Sequence, residues 1–359
     1  MKTRRQFIKI STAGAGAAAL GLYSLKVSGL NLFDSKQEEE PASDEEMTAT
    51  PTYCEVCFWK CAGWTYVDKK GRLRKIIGNK NDPHSNGRLC PRGTGGVGMY
   101  NDENRLRTPL IRETRKDGSQ YFRKASWAEA LDTVAGKMKE VAEKYGREAF
   151  GLFNHGTPGG HLEHLLRAYG SETNAEPAYA QCRGPRSAAY FATYGAYIGS
   201  PECTDIRNTR CLVLIGSHIG ENMHNSQVQE MSQAIDQKAT IITVDPRFST
   251  AASKSQFWLP IKPSTDIALI LAWIHVLIYE DIYNKDFVKK YTFGFDQLKQ
   301  HVKDMTPEWA YGITTIEPDL IRKTAREMAG SAPAVVIHPG RHVVWYGDDS
   351  QRERSLGIL

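Results

Sequence analysis

Apolar and polar residues alternate on both sides of Lys70–Gly71, which predicts a β-hairpin with strands Trp64 to Asp68 and Leu73 to Ile77. Downstream the period changes. Trp127, Leu131, Val134, Met138 and Val141 recur at helical spacing, with Ser126 placed as N-cap and Gly146 as the stop, and this stripe reads as core. Ala149 to Gly156 reads as a buried strand ending at Asn154, His155 and Gly156. Arg210 to Asn222 holds a continuous apolar run that stops at Gly216, and Ala239 to Ser249 repeats the layout with Asp245 at its tip. Helix-like spacing between them completes a βαβ unit. A further short strand at Phe257 leads to Pro263, a Thr265 cap and an apolar helix from Ile267 to Ile278, too short to span a bilayer. Ala334 to His338 reads as another buried strand, and the chain ends in a helix opened by Ser350. Alternating strands and helices predict an α/β protein.

Composition changes this picture only at the N-terminus. The 359 residues are 41% hydrophobic and 24% charged with a formal net charge of +5, ordinary for a globular protein with two or three domains. No cluster of Lys and Arg is interleaved with aromatics, so nucleic acid is not an expected partner. Arg4 and Arg5 precede the uncharged run Ile10 to Leu25, a pattern that reads as an export signal of the twin-arginine type. The expected location is the periplasm or the outer face of the cytoplasmic membrane. Asp34 to Thr50 is acidic and nearly free of apolar residues, so it reads as a tether.

The chemistry is concentrated in cysteines. Cys54, Cys57 and Cys61 lie on one loop, and Cys90 returns beyond the hairpin. Structural zinc sites usually draw two close pairs, and disulfides between cysteines three or four apart are strained. A three-plus-one set suits an iron–sulfur cubane, with zinc and disulfides as alternatives. Cys182 is flanked by Arg183 and Arg186 and precedes a helix pattern, Ser187 to Tyr194; it reads as a soft metal ligand or as a small buried hydrophobe. Where the strands end, Gly216, Asn222, Asp245 and Arg247 are candidate cofactor contacts, with Asp245 at the position that holds ribose hydroxyls. Gly216 to Asn222 lacks the G-x-G-x-x-G pattern, which argues against a plain NAD-binding domain.

The segments CEVCFWKC, GRLCPRGTGG and YNDENRLRTPLIR together resemble the molybdopterin bis-guanine-dinucleotide oxidoreductases, particularly their polysulfide, thiosulfate and sulfite branch. The resemblance implies that Cys54, Cys57, Cys61 and Cys90 bind a 4Fe–4S cluster and that Arg92 lies between the cluster and a pterin. It implies that Cys182 ligates molybdenum of a bis(molybdopterin guanine dinucleotide) cofactor. It further implies that the segment Pro263 to Leu269, with Ser264 where the family has glycine, binds guanine through Asp266. The bland alternative for Asp266 is that it only favours the positive helix end. His155 and Arg341 are placed as a wall facing an anionic sulfur substrate, or as contacts to cofactor phosphates.

The expected layout is a signal over 1–33, a tether over 34–50 and a cluster domain over 51–110. A first α/β domain follows from 111–177 and 328–359, and a nucleotide-binding α/β domain occupies 178–327. This is an iron–sulfur β-hairpin domain followed by two Rossmann-like α/β domains, the last element truncated. Relatives implied by the resemblance run to about twice this length. The chain therefore reads as the N-terminal half of a catalytic subunit, as a split-gene product, a truncation or a fragment. Expected partners are a multi-cluster iron–sulfur electron-transfer subunit, a quinone-linked membrane anchor subunit and a separately encoded C-terminal half.

Overall fold

The computed structural model describes residues 47–57, 59–154, 157–176, 184–196, 204–217, 219–221, 225–338, 340 and 348–359. The signal, most of the tether, Cys182, His155, Asn222 and Arg341 lie outside these residues. Strand β1 (Met47–Tyr53) pairs with β2 (Ala62–Asp68), which forms the predicted hairpin with β3 (Leu73–Gly78). The tether expected to reach Thr50 is thus corrected: its last four residues, Met47 to Thr50, are already strand. A second hairpin, β4 (Leu110–Thr114) with β5 (Gln120–Lys124), follows in register from Leu110–Lys124 to Thr114–Gln120.

Two parallel units follow. The smaller pairs β6 (Leu152–Phe153) with β7 (Asn174–Ala175) around the helix Thr157–Tyr169. The larger is a four-stranded parallel sheet of β8 (Cys211–Ile215), β9 (Thr240–Val244), β10 (Phe257–Leu259) and β11 (Val335–His338), in the order β10-β9-β8-β11. Every residue of β8 is buried, because both sheet faces are covered. Cys211, Val213 and Ile215 face one core with Trp273, Leu269 and Ile321, whereas Leu212 and Leu214 face the other with Ile206 and Met231. The helix Asp266–Tyr279 buries eight side chains, and Trp273 donates its indole N–H to Thr324 Oγ1 at 2.9 Å. Each such large apolar side chain contributes about 2 kcal/mol by leaving water. Among the described residues no helix is long and apolar enough to cross a membrane.

Two expectations are corrected. Segment 328–359 was expected in the first α/β domain, yet β11 pairs with β8 from Val335–Cys211 to His338–Leu214 and joins the nucleotide-binding sheet. A parallel strand takes the partner that buries both its faces, and the apolar run Val335–Ile337 finds that beside β8. The stripe on the helix Trp127–Tyr145 is not core: Trp127, Leu131 and Val134 are 68, 60 and 55% exposed. Phe153 in β6 is likewise exposed, and Asn154 just beyond the strand is buried, so the expected buried strand is only partly so. The Ser126 cap does form, accepting from Glu129 N–H at 3.1 Å.

Thr265 stands at the N-cap position of the Asp266–Tyr279 helix but makes no side-chain cap; its hydroxyl donates to Lys262 O at 2.6 Å. The residue before it, Ser264, has φ +68, the left-handed region that costs a side chain about 1 kcal/mol relative to glycine. Ser264→Gly is therefore expected to raise unfolding stability by about 1 kcal/mol in urea titrations; an unchanged or lower midpoint would contradict this reading of the turn.

Candidate metal and cofactor site

The four cysteines of the N-terminal region converge. Cys54, Cys57, Cys61 and Cys90 line one pocket, together with Trp59 and Arg92. Local backbone explains the first three. Cys54 N–H donates to Cys61 O at 2.9 Å, which folds the loop back on itself, and Lys60 turns the chain at φ +48. The fourth is delivered by an organised return loop. The Asp82 carboxylate accepts from Ala62 N–H (3.0 Å), His84 N–H (3.1 Å), Ser85 N–H (3.3 Å) and the Ser85 hydroxyl (2.5 Å). Burial pushes the Asp82 carboxyl up, but these donors outweigh it and hold the group below the usual carboxylate range.

The thiols are crowded and partly dry. Burial, then the neighbouring Cys57 and Cys54, pushes Cys61 up to about 11. Burial also raises Cys57, against a hydrogen bond from Trp59 N–H and the positive charge of Arg92. Four sulfurs that disfavour one another's charge, with an N–H and a guanidinium turned toward them, suit a cationic iron–sulfur core that takes all four as thiolates. Glycine makes room for it: a Cβ on Gly93 would stand 3.3 Å from Leu89 Cβ and 3.5 Å from Cys54 Sγ. Among the described residues no three His, Cys, Asp or Glu are gathered as ligands of one ion. In a cubane each thiolate takes its own iron, so the sulfurs stand around a shared space rather than around one point. None of the five described cysteines is in a disulfide, and Cys211 is a fully buried core residue.

The pocket abuts the parallel sheet. Asn225, the first residue of the helix Asn225–Asp236 that follows β8, lines it and donates to Arg88 O at 2.6 Å. Ser226 donates to His84 O (3.1 Å) and Gln229 to Ser85 O (3.0 Å). Asp82 and Asn225 were missed in the sequence; an Asx-type loop before Cys90 and a polar first helical turn were the available signals.

Parallel pairing puts the ends of all four strands at one edge. Gly216 follows β8 with φ +61, Asp245 follows β9, and Pro263 and Asp266 follow β10. The strand order reverses between β8 and β11, the place where α/β sheets open a ligand crevice. There the loops touch: a Cβ on Gly340 would lie 2.6 Å from Ile215 O. Asp245 is buried and accepts from Arg247 N–H at 2.8 Å. The Arg247 guanidinium, itself largely exposed, donates to Glu221 in two contacts of 3.2 and 2.8 Å. Asp266 Oδ1 lies 3.5 Å from Arg352 Nη2. Sequence-predicted residues are thus brought together in two groups, the thiols with Arg92 and the strand-end residues.

Comparison with known proteins follows this division. The description "Molybdopterin oxidoreductase Fe4S4 domain" matches residues 47–102, and "Molybdopterin oxidoreductase" matches residues 105–355. The thiosulfate reductase molybdopterin-containing subunit PhsA of Salmonella typhimurium is 31% identical over 99% of this chain and 45% of its own length. The arsenate respiratory reductase molybdopterin-containing subunit ArrA of a Shewanella strain is 29% identical over 95% of this chain and 43% of its own. Among solved structures, acetylene hydratase from Pelobacter acetylenicus superposes with a TM-score of 0.71 at 26% identity, covering 86% of this chain and 42% of that one. The chain spans less than half the length of these relatives.

Two measurements check the site. Asp82→Ala removes the acceptor of four donors and is expected to cost about 2 kcal/mol or more and to lower iron retention; unchanged iron content would show that the return loop does not depend on it. In metal-free, reduced protein the raised Cys61 binds its proton more tightly folded than unfolded. That stability is fully present below pH 9 and is lost as pH rises toward about 11. Urea midpoints should fall over that window, and less so in Cys61→Ser; an identical slope in the variant would refute the assignment.

Proposed function

We propose a function from one premise: this chain belongs to the molybdopterin oxidoreductase family. Its cofactors are the 4Fe–4S cluster and the molybdopterin that the two matched domains carry. On that premise the chain is the catalytic-subunit portion of a molybdenum oxidoreductase that acts on an inorganic sulfur compound, namely polysulfide, thiosulfate or sulfite. The observation that carries the redox reading is the ring of four cysteine thiols on a pocket shared with Arg92 and the first turn after β8. The sulfur substrate is supported by the match to a thiosulfate reductase subunit over 99% of the chain.

When bound, molybdenum supplies two-electron chemistry and the cluster passes electrons singly. The chain's own residues do the rest. The thiols of Cys54, Cys57, Cys61 and Cys90 hold the cluster, Gly93 admits it closely, and Arg92 places a positive charge beside it. Asp245 and the Asp266 helix end flank the crevice for the cofactor's nucleotide. Cys182 is assigned as protein ligand of the molybdenum, and His155 and Arg341 as proton donor and cation facing an anionic sulfur substrate. Electrons are exchanged with a multi-cluster iron–sulfur subunit and a quinone-linked membrane subunit, on the outer side of the cytoplasmic membrane after twin-arginine export.

A second reading, an iron–sulfur electron-transfer or assembly module without molybdenum, draws on the four thiols that line one pocket. Metal analysis separates the two. The first reading expects about one molybdenum and about four irons per chain, viologen-dependent reduction of thiosulfate or polysulfide, and loss of molybdenum but not iron in Cys182→Ser. Iron alone, with no sulfur-compound reduction, would establish the second.

A further inference from the structure

The short helices Lys285–Tyr291 and Phe295–His301 are joined by a turn in which Gly294 takes φ +81. Phe295 and Leu298 seat the second helix on the core, and the Tyr283 ring packs on Phe295 with centroids 4.9 Å apart. Three other aromatics turn outward: Phe287, Tyr291 and Phe293 are 54, 64 and 102% exposed. Phe287 and Tyr291 lie one helical turn apart with ring centroids at 5.2 Å, so their open faces form one surface. The backbone beneath them is ordered. The Asn284 side chain caps the first helix by accepting from Phe287 N–H at 2.9 Å, and the Thr292 hydroxyl donates to Val288 O at 2.7 Å. Between Lys285 and Lys303 stand five lysines against two aspartates. Lys285 pairs with Asp281, whereas Lys289 and Lys290, in the last turn before Phe293, pair with no carboxylate among the described residues. The Lys290 ammonium lies 5.0 Å from the centroid of the Tyr291 ring.

We propose that this turn is a membrane-surface wedge: Phe287, Tyr291 and Phe293 enter the boundary between headgroups and acyl chains of an anionic bilayer, and Lys289 and Lys290 meet the lipid phosphates. Bilayer interfaces hold this mixture of side chains, because the ring enters the apolar side while the neighbouring ammonium stays among the headgroups. Inserted rings leave water, and the lysines add an attraction that salt weakens. Shape and charge both select this occupant. Phe293 protrudes fully from the turn, so the patch is a knob rather than a groove. A second copy of the chain packed on the same patch would set lysine against lysine. The contact needs no spanning helix, since the apolar side chains enter only one face of the bilayer. The inference goes beyond the redox reading and stands without it, requiring neither cluster nor molybdenum.

The test is flotation of the full chain with vesicles of phosphatidylcholine alone or with about one third phosphatidylglycerol. The parent should bind the anionic vesicles about tenfold or more tightly than the neutral ones, and less tightly as salt rises. Phe293→Ser and the double variant Lys289→Glu with Lys290→Glu should each weaken binding by about tenfold. All three positions are exposed, so the variants should keep the parent's thermal midpoint. Phe293→Trp should retain binding and show more quenching by brominated acyl chains than the parent does, a sign of entry that mere adsorption would not give. Equal binding to both vesicle types, no binding by the parent, or parent-like affinity in Phe293→Ser overturns the proposal. Loss in the lysine variant without added quenching in Phe293→Trp reduces the contact to surface adsorption and overturns the wedge. A parent that is dimeric by light scattering, and monomeric as Phe293→Ser with vesicle binding unchanged, assigns the patch to a second copy instead.

Discussion

The first turn of the Asn225–Asp236 helix joins the cysteine-bearing region to the parallel sheet, and the site depends on that joint. Asn225, Ser226 and Gln229 donate to Arg88 O, His84 O and Ser85 O, backbone acceptors in the very loop that returns Cys90. Each bond contributes about 1 kcal/mol, and together they fix the direction from which the fourth thiol arrives. Asp82 organises the same loop from inside through Ala62, so hairpin, return loop and helix start are held as one assembly. The consequence is spatial: the four thiols stand beside the edge of the sheet at which the strands end.

That edge is built by topology rather than by any single residue. Four parallel strands place Gly216, Asp245 and the Asp266 helix start on one side, and the order β10-β9-β8-β11 reverses between β8 and β11, where the loops meet at Gly340. The burial of β8 on both faces keeps those strand ends in fixed register. Charges at the edge are already committed to protein partners, Arg247 to Glu221 and Asp266 to Arg352. Such second contacts orient the groups that meet a ligand without touching it themselves.

What could be read in the sequence was local. The hairpin around Lys70–Gly71, the Ser126 cap and the runs that became β8 and β9 follow from period and punctuation within a few residues. The cysteine spacing likewise carried its own geometry. The partner of β11 was not legible, because strand pairing across more than a hundred positions leaves no local trace. The Trp127, Leu131 and Val134 stripe shows that amphipathic spacing identifies a helix and its apolar face but not what covers that face. Asp82 and Asn225 were overlooked because a short polar residue gains its role only from the chain folded around it.

The central claim is that four thiolates delivered by this joint hold one cubane. Mössbauer and EPR spectra of the protein reconstituted with iron and sulfide under anaerobic conditions test it most directly. The account predicts about four irons and four sulfides per chain and, on one-electron reduction, the paramagnetic signal of a single four-iron cluster. A stoichiometry of one metal ion per chain with no sulfide, and no reducible paramagnetic centre, would contradict it.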